Sequence, residues 1–181
     1  MSDQTERALD GYLIALIRGG SREAFDRLAR RWTPKLLRYA TRVLGVPEGA
    51  RDVVQETWIA AIRGLNRLED PARFPAWLYG IAHRKCVDGI RVAQRQRRLA
   101  ASVEQDLVVA AGDPCRPAPG ESADLAMAIA QLGKEQRDVV HLFYGEDLGI
   151  EDIASILDVP AGTVKSRLHH ARESLRKQLG D

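Results

Sequence analysis

The sequence predicts an all-α protein built from two small helical domains that a flexible linker joins. Three observations support this fold class. Apolar residues recur at helical spacing over most of the chain, and no stretch shows the sustained alternation of a β-strand. Between residues 100 and 123 the apolar periodicity disappears, and Pro and Gly become frequent. We therefore expect a first domain at residues 1–98, a linker at residues 99–123 and a second domain at residues 124–181.

Two helices are expected at the start of the first domain. The first ends at Gly19–Gly20, and Ser21 is a suitable N-cap for the second. We expect Pro34 to kink or restart the second helix, because proline lacks the backbone N–H that a helix interior needs. The apolar stripe of the first helix consists of Leu13, Leu16 and Ile17. The stripe of the second consists of Phe25, Leu28, Trp32, Leu36, Leu37, Ala40 and Leu44.

Two further helices complete the first domain. A third helix is expected to open at Pro47–Glu48, since proline suits a first helical turn. A loop at residues 66–71 then leads to a fourth helix. The apolar residues of the third helix are Val53, Val54, Trp58, Ile59 and Ile62. Those of the fourth are Phe74, Trp77, Leu78, Ile81 and Ala82.

The second domain is expected to hold three or four helices, and the last two have the layout of a helix-turn-helix. A short amphipathic helix at residues 150–157 is followed by the tight turn Asp158–Ala161 and then by a basic helix. Asp158 occupies the turn position that most often holds Gly, and Asp tolerates a left-handed backbone better than most residues. The residues of the basic helix expected to pack inward are Val164, Leu168, Ala171 and Leu175.

The basic helix carries polar side chains that could contact DNA. We expect Thr163, Ser166, Arg167 and His170 on the side opposite the apolar stripe, with Lys165, His169 and Arg172 flanking them. The alternative is a solvated helix face without a ligand. The charge distribution favours DNA: residues 124–159 hold eight acidic and two basic residues, whereas residues 160–181 hold five basic and two acidic ones.

Composition narrows the classes of protein to which the chain can belong. Of the 181 residues, 29% are charged and 45% are hydrophobic, which is ordinary for a soluble globular protein. Apolar runs fall well short of the roughly 20 residues that span a bilayer, and the polar N-terminus lacks a signal-peptide pattern. Two cysteines, Cys86 and Cys115, form no disulfide framework and suit a reducing compartment. We expect a cytoplasmic protein without membrane insertion.

Four segments together give the chain its family resemblance. ARDVVQETW at residues 50–58 and RFPAWLYGIA at residues 73–82 resemble sigma region 2, whereas LGKEQRDVV at residues 132–140 and GTVKSRLHHAR at residues 162–172 resemble sigma region 4. The chain thus resembles the extracytoplasmic-function (group 4) sigma factors of bacterial RNA polymerase, over about residues 23–179 apart from the linker. The resemblance implies a sigma-2 helix bundle followed by a sigma-4 helix-turn-helix domain. It also implies that the basic helix recognises the minus-35 promoter element.

The resemblance assigns the third helix to polymerase binding. Asp52, Gln55, Glu56 and Trp58 match the clamp-binding helix, which docks on the β′ coiled coil. The first three share one helix face at i, i+3 and i+4 spacing. The alternatives are a solvated acidic face for these three and a mainly structural role for Trp58.

The resemblance also assigns minus-10 recognition to the loop and the fourth helix. The loop matches the element that captures a flipped base and begins melting, which requires polar groups beside aromatic or apolar walls. Its candidate residues are Asn66, Arg67, Arg73 and Phe74. A basic run then continues as a candidate DNA-backbone track, with His83, Arg84, Lys85 and Arg91. The alternative is a solubilising helix end, and Trp77 is expected to be a core residue.

The implied function is that of an alternative sigma factor without enzymatic activity, catalytic residues, cofactor or metal. Its implied partners are promoter DNA, an anti-sigma factor, and core RNA polymerase through the β′ clamp helices and the β flap. The spacing of His83 and Cys86 supplies only two ligands, too few for a tetrahedral metal site. A second hypothesis is a sigma-like decoy that binds an anti-sigma factor without directing transcription.

Overall fold

The computed structural model describes residues 3–47, 49–101 and 123–180, and these fall into two compact units. Every regular element in the described residues is a helix, which confirms the all-α fold class. The linker predicted at residues 99–123 lies mostly outside the described part: residues 99–101 belong to the last helix of the first unit, and Ala123 begins the first helix of the second. None of the described helices is long and apolar enough to cross a membrane.

The first unit packs four helices around an aromatic centre. They are α1 (Asp3–Arg18), α2 (Arg22–Leu44), α3 (Ala50–Gly64) and α4 (Phe74–Ala101). Two short 3-10 turns, Leu65–Arg67 and Pro71–Arg73, connect α3 to α4. The Trp32 ring meets Phe74 and Tyr79 edge to face, with centroids 5.5 and 5.9 Å apart. These aromatic side chains join α2 to α4 and hold the first unit together.

Sequence signals at the start of the second helix are confirmed, but the helix is not restarted at Pro34. Helix α1 ends at Arg18, and Ser21 Oγ accepts a hydrogen bond of 3.2 Å from the Ala24 amide, as an N-cap does. Helix α2 runs through Pro34 without interruption. Pro34 is exposed, whereas Trp32 and Leu36 on either side are buried. Tertiary packing of these neighbours therefore outweighs the local cost of proline.

Three other expectations for the first unit need correction. Helix α3 begins at Ala50 rather than at residue 47, because Gly49 adopts a left-handed backbone with φ 83°. Leu16 is exposed, and Ile14 takes the core position next to Leu13. Ile59 and Ile62 of α3 are exposed as well. The hydrophobic pattern located these helices but did not fix their inward faces to the residue.

The second unit is a four-helix domain that ends in the predicted helix-turn-helix. Its elements are α5 (Ala123–Gln131), α6 (Lys134–Val140), α7 (Ile150–Leu157) and α8 (Ala161–Leu179), with a π-helical turn, His141–Gly145, after α6. Helix α8 packs against α5, α6 and α7. Val164, Leu168 and Ala171 are fully buried as expected, and Leu175 is half-buried.

The turn between α7 and α8 depends on Asp158. This residue adopts the left-handed conformation, with φ 54° and ψ 50°, and terminates α7. The Val159 amide then donates to the Ala154 carbonyl at 3.1 Å. Pro160 precedes α8, and its carbonyl accepts from the Thr163 amide at 2.9 Å. The chain therefore reverses within three residues and carries α8 across α7.

Candidate nucleic-acid and protein interfaces

The exposed side of α8 carries most of the residues predicted to contact DNA. Lys165, Ser166, His169 and His170 are exposed, and Thr163 is half-buried near the start of the helix. The buried stripe of α8 fixes the helix on the unit, so these side chains project from a rigid support. Ser166 Oγ donates to the Thr163 carbonyl at 3.1 Å. His169 Nε2 lies 3.8 Å from Glu173 Oε1, one turn further along.

Arg167 is placed differently from the prediction. Its side chain is only 20% exposed, and Nη2 lies 2.6 Å from Glu135 Oε2 in the first turn of α6. Residue 167 is three positions after Val164 and next to Leu168, so it borders the buried face of α8 rather than lying opposite to it. Glu135 was not predicted as a site residue, because the sequence does not show which helix lies beside Arg167.

Arg172 is held by the π-helical turn that follows α6. Its Nε donates to the Tyr144 hydroxyl at 2.8 Å. The guanidinium lies over the Phe143 and Tyr144 rings, 5.8 and 5.7 Å from their centroids. Both aromatic residues belong to the π-helical turn after α6, which the sequence analysis did not foresee. Thus α6 and its π-helical turn orient two of the three arginines in α8.

Helix α3 presents the acidic face predicted to bind polymerase. Asp52, Gln55 and Glu56 are all exposed, as one helix face requires. Trp58 is half-buried instead. Its Nε1 donates to Thr33 Oγ1 at 3.0 Å, and its ring packs edge to face on Phe25 with centroids 5.6 Å apart. Trp58 therefore ties α3 to α2, which favours the structural role that was left open for it.

The connection between α3 and α4 exposes some of its candidate residues and buries another. Asn66, Arg67 and Arg73 are exposed, whereas Leu65 and Leu68 anchor the chain in the core. Asp70 caps the second turn, since its Oδ1 accepts from the Ala72 amide at 2.9 Å. The buried leucines and the Asp70 cap fix the loop on the bundle, and the polar candidate residues remain at the surface.

Phe74 does not form an accessible wall for a base. Its side chain is completely buried and packs against Trp32 and Trp77. An aromatic residue at the first position of α4 faces the bundle because the two preceding turns bring the chain back over the core. Trp77, expected in the core, is only half-buried. Its ring also lies close to Gly64, where an added Cβ would come within 3.0 Å of the ring.

Trp77 lies in a groove that we call the basic groove. It has a volume of about 400 Å³ and runs between the end of α3, the loop and α4. Its cations are Arg67, Arg84 and Lys85, and its remaining lining residues are Ala60, Gly64, Trp77, Ile81 and Asp88. The structure thus brings a loop cation together with two cations of α4 beside an aromatic ring. Cations with an aromatic ring suit a nucleic-acid strand.

The other predicted residues of α4 lie outside the basic groove. His83 is half-buried, and its Nδ1 shares a hydrogen bond of 2.9 Å with the Tyr39 hydroxyl. Arg91 is exposed, with Nη1 3.7 Å from Asp88 Oδ1. His83 is consequently held inside the unit, while Arg91 remains on a solvent-facing part of the helix. Among the side chains that the structure describes, no cluster of His, Cys, Asp and Glu has a metal-binding arrangement.

Comparison with known proteins gives matches in both units. The pattern of Sigma-70 region 2 matches residues 28–96, and that of Sigma-70 region 4 matches residues 122–175. The ECF RNA polymerase sigma factor SigW of Bacillus subtilis is 32% identical over 178 residues, covering 93% of this chain and 95% of the relative. The ECF RNA polymerase sigma factor SigL of Mycobacterium tuberculosis is 38% identical over 151 residues, covering 80% and 82%.

Two solved structures resemble this one. The sigma factor RpoE in complex with the anti-sigma factor NepR, from Bartonella quintana, has a TM-score of 0.70 at 25% identity, covering 86% of this chain and 96% of that one. CnrH in complex with the cytosolic domain of CnrY has a TM-score of 0.61 at 28% identity, covering 94% and 97%. The similarity therefore extends over both units.

Proposed function

The chain belongs to the extracytoplasmic-function sigma factors of the sigma-70 family, and from this premise we propose how its surfaces direct promoter-specific initiation. It is an alternative sigma factor, an initiation factor of RNA polymerase rather than an enzyme. The main structural support for this proposal is the helix-turn-helix. The buried residues of α8 fix the helix on its unit, and a row of polar side chains on the same helix is exposed. Residues 124–181 would form the minus-35 recognition domain, and residues 1–98 the polymerase-binding and minus-10 domain.

We propose that α8 enters the major groove at the minus-35 element. Its contacts would come from Thr163, Lys165, Ser166, Arg167, His169, His170 and Arg172. The early polar residues suit base edges and nearby phosphates, since a recognition helix contacts DNA mainly through its N-terminal part. The ion pair with Glu135 gives Arg167 a fixed starting direction. A fixed guanidinium loses less conformational freedom when it binds a base or a phosphate.

At the minus-10 element we propose that DNA lies along the basic groove and the adjoining loop. Arg67, Arg84 and Lys85 would neutralise phosphates, and the exposed amide of Asn66 would contact an unstacked base. Arg73 and Arg91 would extend the backbone contacts on either side. Phe74 would act indirectly, by supporting Trp77 from the core. His83 would likewise act through its packing against α2 rather than by direct contact.

Core RNA polymerase is the proposed partner of the acidic face on α3. Asp52, Gln55 and Glu56 would dock on the clamp helices of the β′ subunit, and the second domain would contact the β flap. Trp58 would fix α3 in the bundle so that this face is presented rigidly. The absence of bulky apolar groups among the three docking residues suits a polar, charge-guided contact.

We also propose that an anti-sigma factor controls this protein. The similar structure of the sigma factor RpoE is a complex with the anti-sigma factor NepR, and that of CnrH is a complex with the cytosolic domain of CnrY. Both similarities extend over most of this chain, 86% and 94%, which supports an inhibitor of comparable type. Such an inhibitor would hold the protein inactive until a stress or envelope signal releases it.

The deciding experiment is transcription with purified core polymerase on genomic DNA fragments, beginning with the region upstream of this gene. Initiation should occur at a discrete start site only when the protein is present. A variant carrying Asp52→Ala and Gln55→Ala should lose core binding, whereas Arg38→Gln, an exposed change on α2, should behave like the unchanged protein. If no complex with core forms at micromolar concentrations, the proposed role is wrong and the decoy hypothesis takes its place.

A further inference from the structure

We propose that Arg18, the last residue of α1, is a positioning residue that holds the Leu65–Arg67 turn in the shape needed for minus-10 recognition. The inference rests on the proposed function of Asn66 and Arg67. It concerns a helix that precedes the Sigma-70 region 2 match, which begins at residue 28. The segment before the matched region would therefore contribute to promoter opening.

The argument starts from two contacts made by one side chain. Arg18 Nη2 donates to the Leu65 carbonyl at 3.1 Å and also to the Leu68 carbonyl. These carbonyls lie on either side of Asn66 and Arg67. The Leu68 amide donates to the Leu65 carbonyl at 3.3 Å, which closes the turn. Arg18 thus joins the two ends of the turn from outside.

These carbonyls need such a partner because of where they lie. Leu65 directly follows α3, and its carbonyl accepts from the Leu68 amide at 3.3 Å, which leaves one of its two lone pairs for a side-chain donor. The Leu65 and Leu68 side chains are buried, so water has restricted access to the adjoining backbone. A guanidinium offers several donors in a fixed plane and can satisfy two acceptors at once. A lysine would offer a single nitrogen and a weaker geometric restraint.

Helix α1 is a firm support for this contact. Arg31 of α2 has Nε 3.0 Å from Asp10 Oδ1 and Nη2 2.8 Å from Glu6 Oε2, which fixes α1 along α2. A Cβ added at Gly11 would lie 3.7 Å from Pro71 Cβ, so α1 also packs closely under the second turn of the connection. The loop that carries Asn66 and Arg67 is therefore fastened to α1 at both of its turns.

Loss of the Arg18 contacts should affect one step of initiation, promoter opening, and not the others. Asn66 and Arg67 are needed when the minus-10 element is opened, whereas α8 and the acidic face of α3 act in duplex binding and polymerase docking. Loss of the Arg18 contacts should leave docking intact and impair opening. Supplying the promoter with the minus-10 segment already unpaired should restore most of the lost activity, because the opening step is then bypassed.

The test compares Arg18→Gln with the control Arg38→Gln on two templates. One template is the duplex promoter of this protein, and the other has mismatches that keep the minus-10 segment unpaired. With core polymerase, Arg18→Gln should initiate about tenfold more slowly on the duplex, the scale expected for lost charged hydrogen bonds, and close to normally on the unpaired template. Core binding and thermal unfolding are measured alongside.

Other outcomes have defined meanings. Equal loss on both templates would show a general structural defect and overturn the proposal, as would unchanged initiation on the duplex. If Arg18→Gln does not fold, the same comparison is made with Arg18→Lys, which keeps the charge and should show a smaller loss confined to the duplex. For Arg18→Lys as well, a loss of initiation on both templates, or on neither template, would overturn the proposal. If the unchanged protein supports transcription on neither template, it is the proposed function that fails.

Discussion

Lys85 Nζ lies 2.9 Å from Glu56 Oε2, so one ion pair joins the acidic face of α3 to the basic groove. The Glu56 side chain is 60% exposed, and an exposed pair of this kind contributes only about 0–1 kcal/mol to stability. The ion pair matters because it connects the surface proposed to bind polymerase with the surface proposed to bind DNA. If Glu56 turns towards polymerase, Lys85 loses its partner and becomes available to a phosphate.

We therefore predict different effects for the two halves of this pair. Glu56→Gln should weaken binding to core polymerase several-fold and leave binding of promoter DNA by the assembled complex nearly unchanged. Lys85→Gln should leave core binding unchanged and weaken promoter binding, with a smaller dependence on salt. Titrations with labelled core and labelled promoter at two salt concentrations measure both. Equal losses in both assays for either variant would argue against separate surfaces.

Arg167 and Arg176 should separate sequence recognition from general attraction to DNA. Arg167→Ala should reduce discrimination of the minus-35 element from scrambled DNA by about 1–3 kcal/mol if the guanidinium contacts a base. Arg176→Ala, further along α8, should weaken binding to both DNAs alike. Equal loss on both DNAs for Arg167→Ala would make Arg167 a phosphate contact and would shift base recognition to Thr163, Ser166 or His170.

The ion pair between Arg167 and Glu135 allows a test of whether Glu135 orients Arg167 for DNA binding. Glu135→Gln keeps the size of the side chain but removes the charge that holds Arg167. We expect Glu135→Gln to lower discrimination less than Arg167→Ala does, with increased non-specific binding because one negative charge is gone. Glu151→Gln, at an exposed position of α7, is the control for removing one negative charge elsewhere on the unit. If Glu135→Gln sharpens discrimination instead, the ion pair competes with DNA rather than positioning Arg167.

Phe74 should matter for folding and not for promoter choice. Truncation of a fully buried aromatic side chain costs about 3–5 kcal/mol, so Phe74→Ala should strongly lower the unfolding free energy of the first unit. Asn66→Ala, at an exposed position, should leave that free energy nearly unchanged while reducing promoter opening. Urea unfolding measured alongside transcription distinguishes the two. A stable Phe74→Ala variant with altered promoter choice would contradict the burial of this ring.

Asp10 should give the stability of the first unit a measurable pH dependence. Burial raises the pKa of Asp10 above its ordinary value of 3.8, although Trp32, Arg31 and Lys35 oppose the shift. The folded state therefore holds the proton more tightly than the unfolded state does. Asp10 contributes most to stability below its unfolded pKa, and that contribution is lost as the pH rises through the folded pKa.

The measurement compares the unchanged protein with Asp10→Asn. The free energy of unfolding of the unchanged protein minus that of the variant should fall as the pH rises above 3.8, the ordinary pKa of Asp, and should level off above the raised pKa of the folded state. Asn has similar size and cannot ionise, so it serves as the reference. A difference that grows with rising pH would mean that the ion pair with Arg31 outweighs burial.

Periodic patterns predicted the fold and the helix-turn-helix because those features depend on neighbours in sequence. The spacing of Val164, Leu168 and Ala171 identified the buried stripe, and the position of Asp158 identified the turn. Contacts between distant residues were not predictable in this way. Arg18 and Leu65 are 47 positions apart, and Arg167 and Glu135 are 32 apart. The apolar spacing of the fourth helix included Phe74, and its complete burial agrees with that spacing. The role beside an unstacked base came from the family resemblance, which does not show how deeply a side chain is packed.

Different residues of α8 serve folding and promoter contact, and this separation has an evolutionary consequence. Its fold depends on an inward stripe, while its contacts with promoters would depend on outward side chains such as Ser166 and His170. Substitutions at exposed positions usually change stability by less than about 0.5 kcal/mol. Gene duplicates could therefore diverge towards new promoters by exchanging outward residues one at a time, with the scaffold unaltered. The exception is Arg167, where drift would have to be accompanied by a change at Glu135.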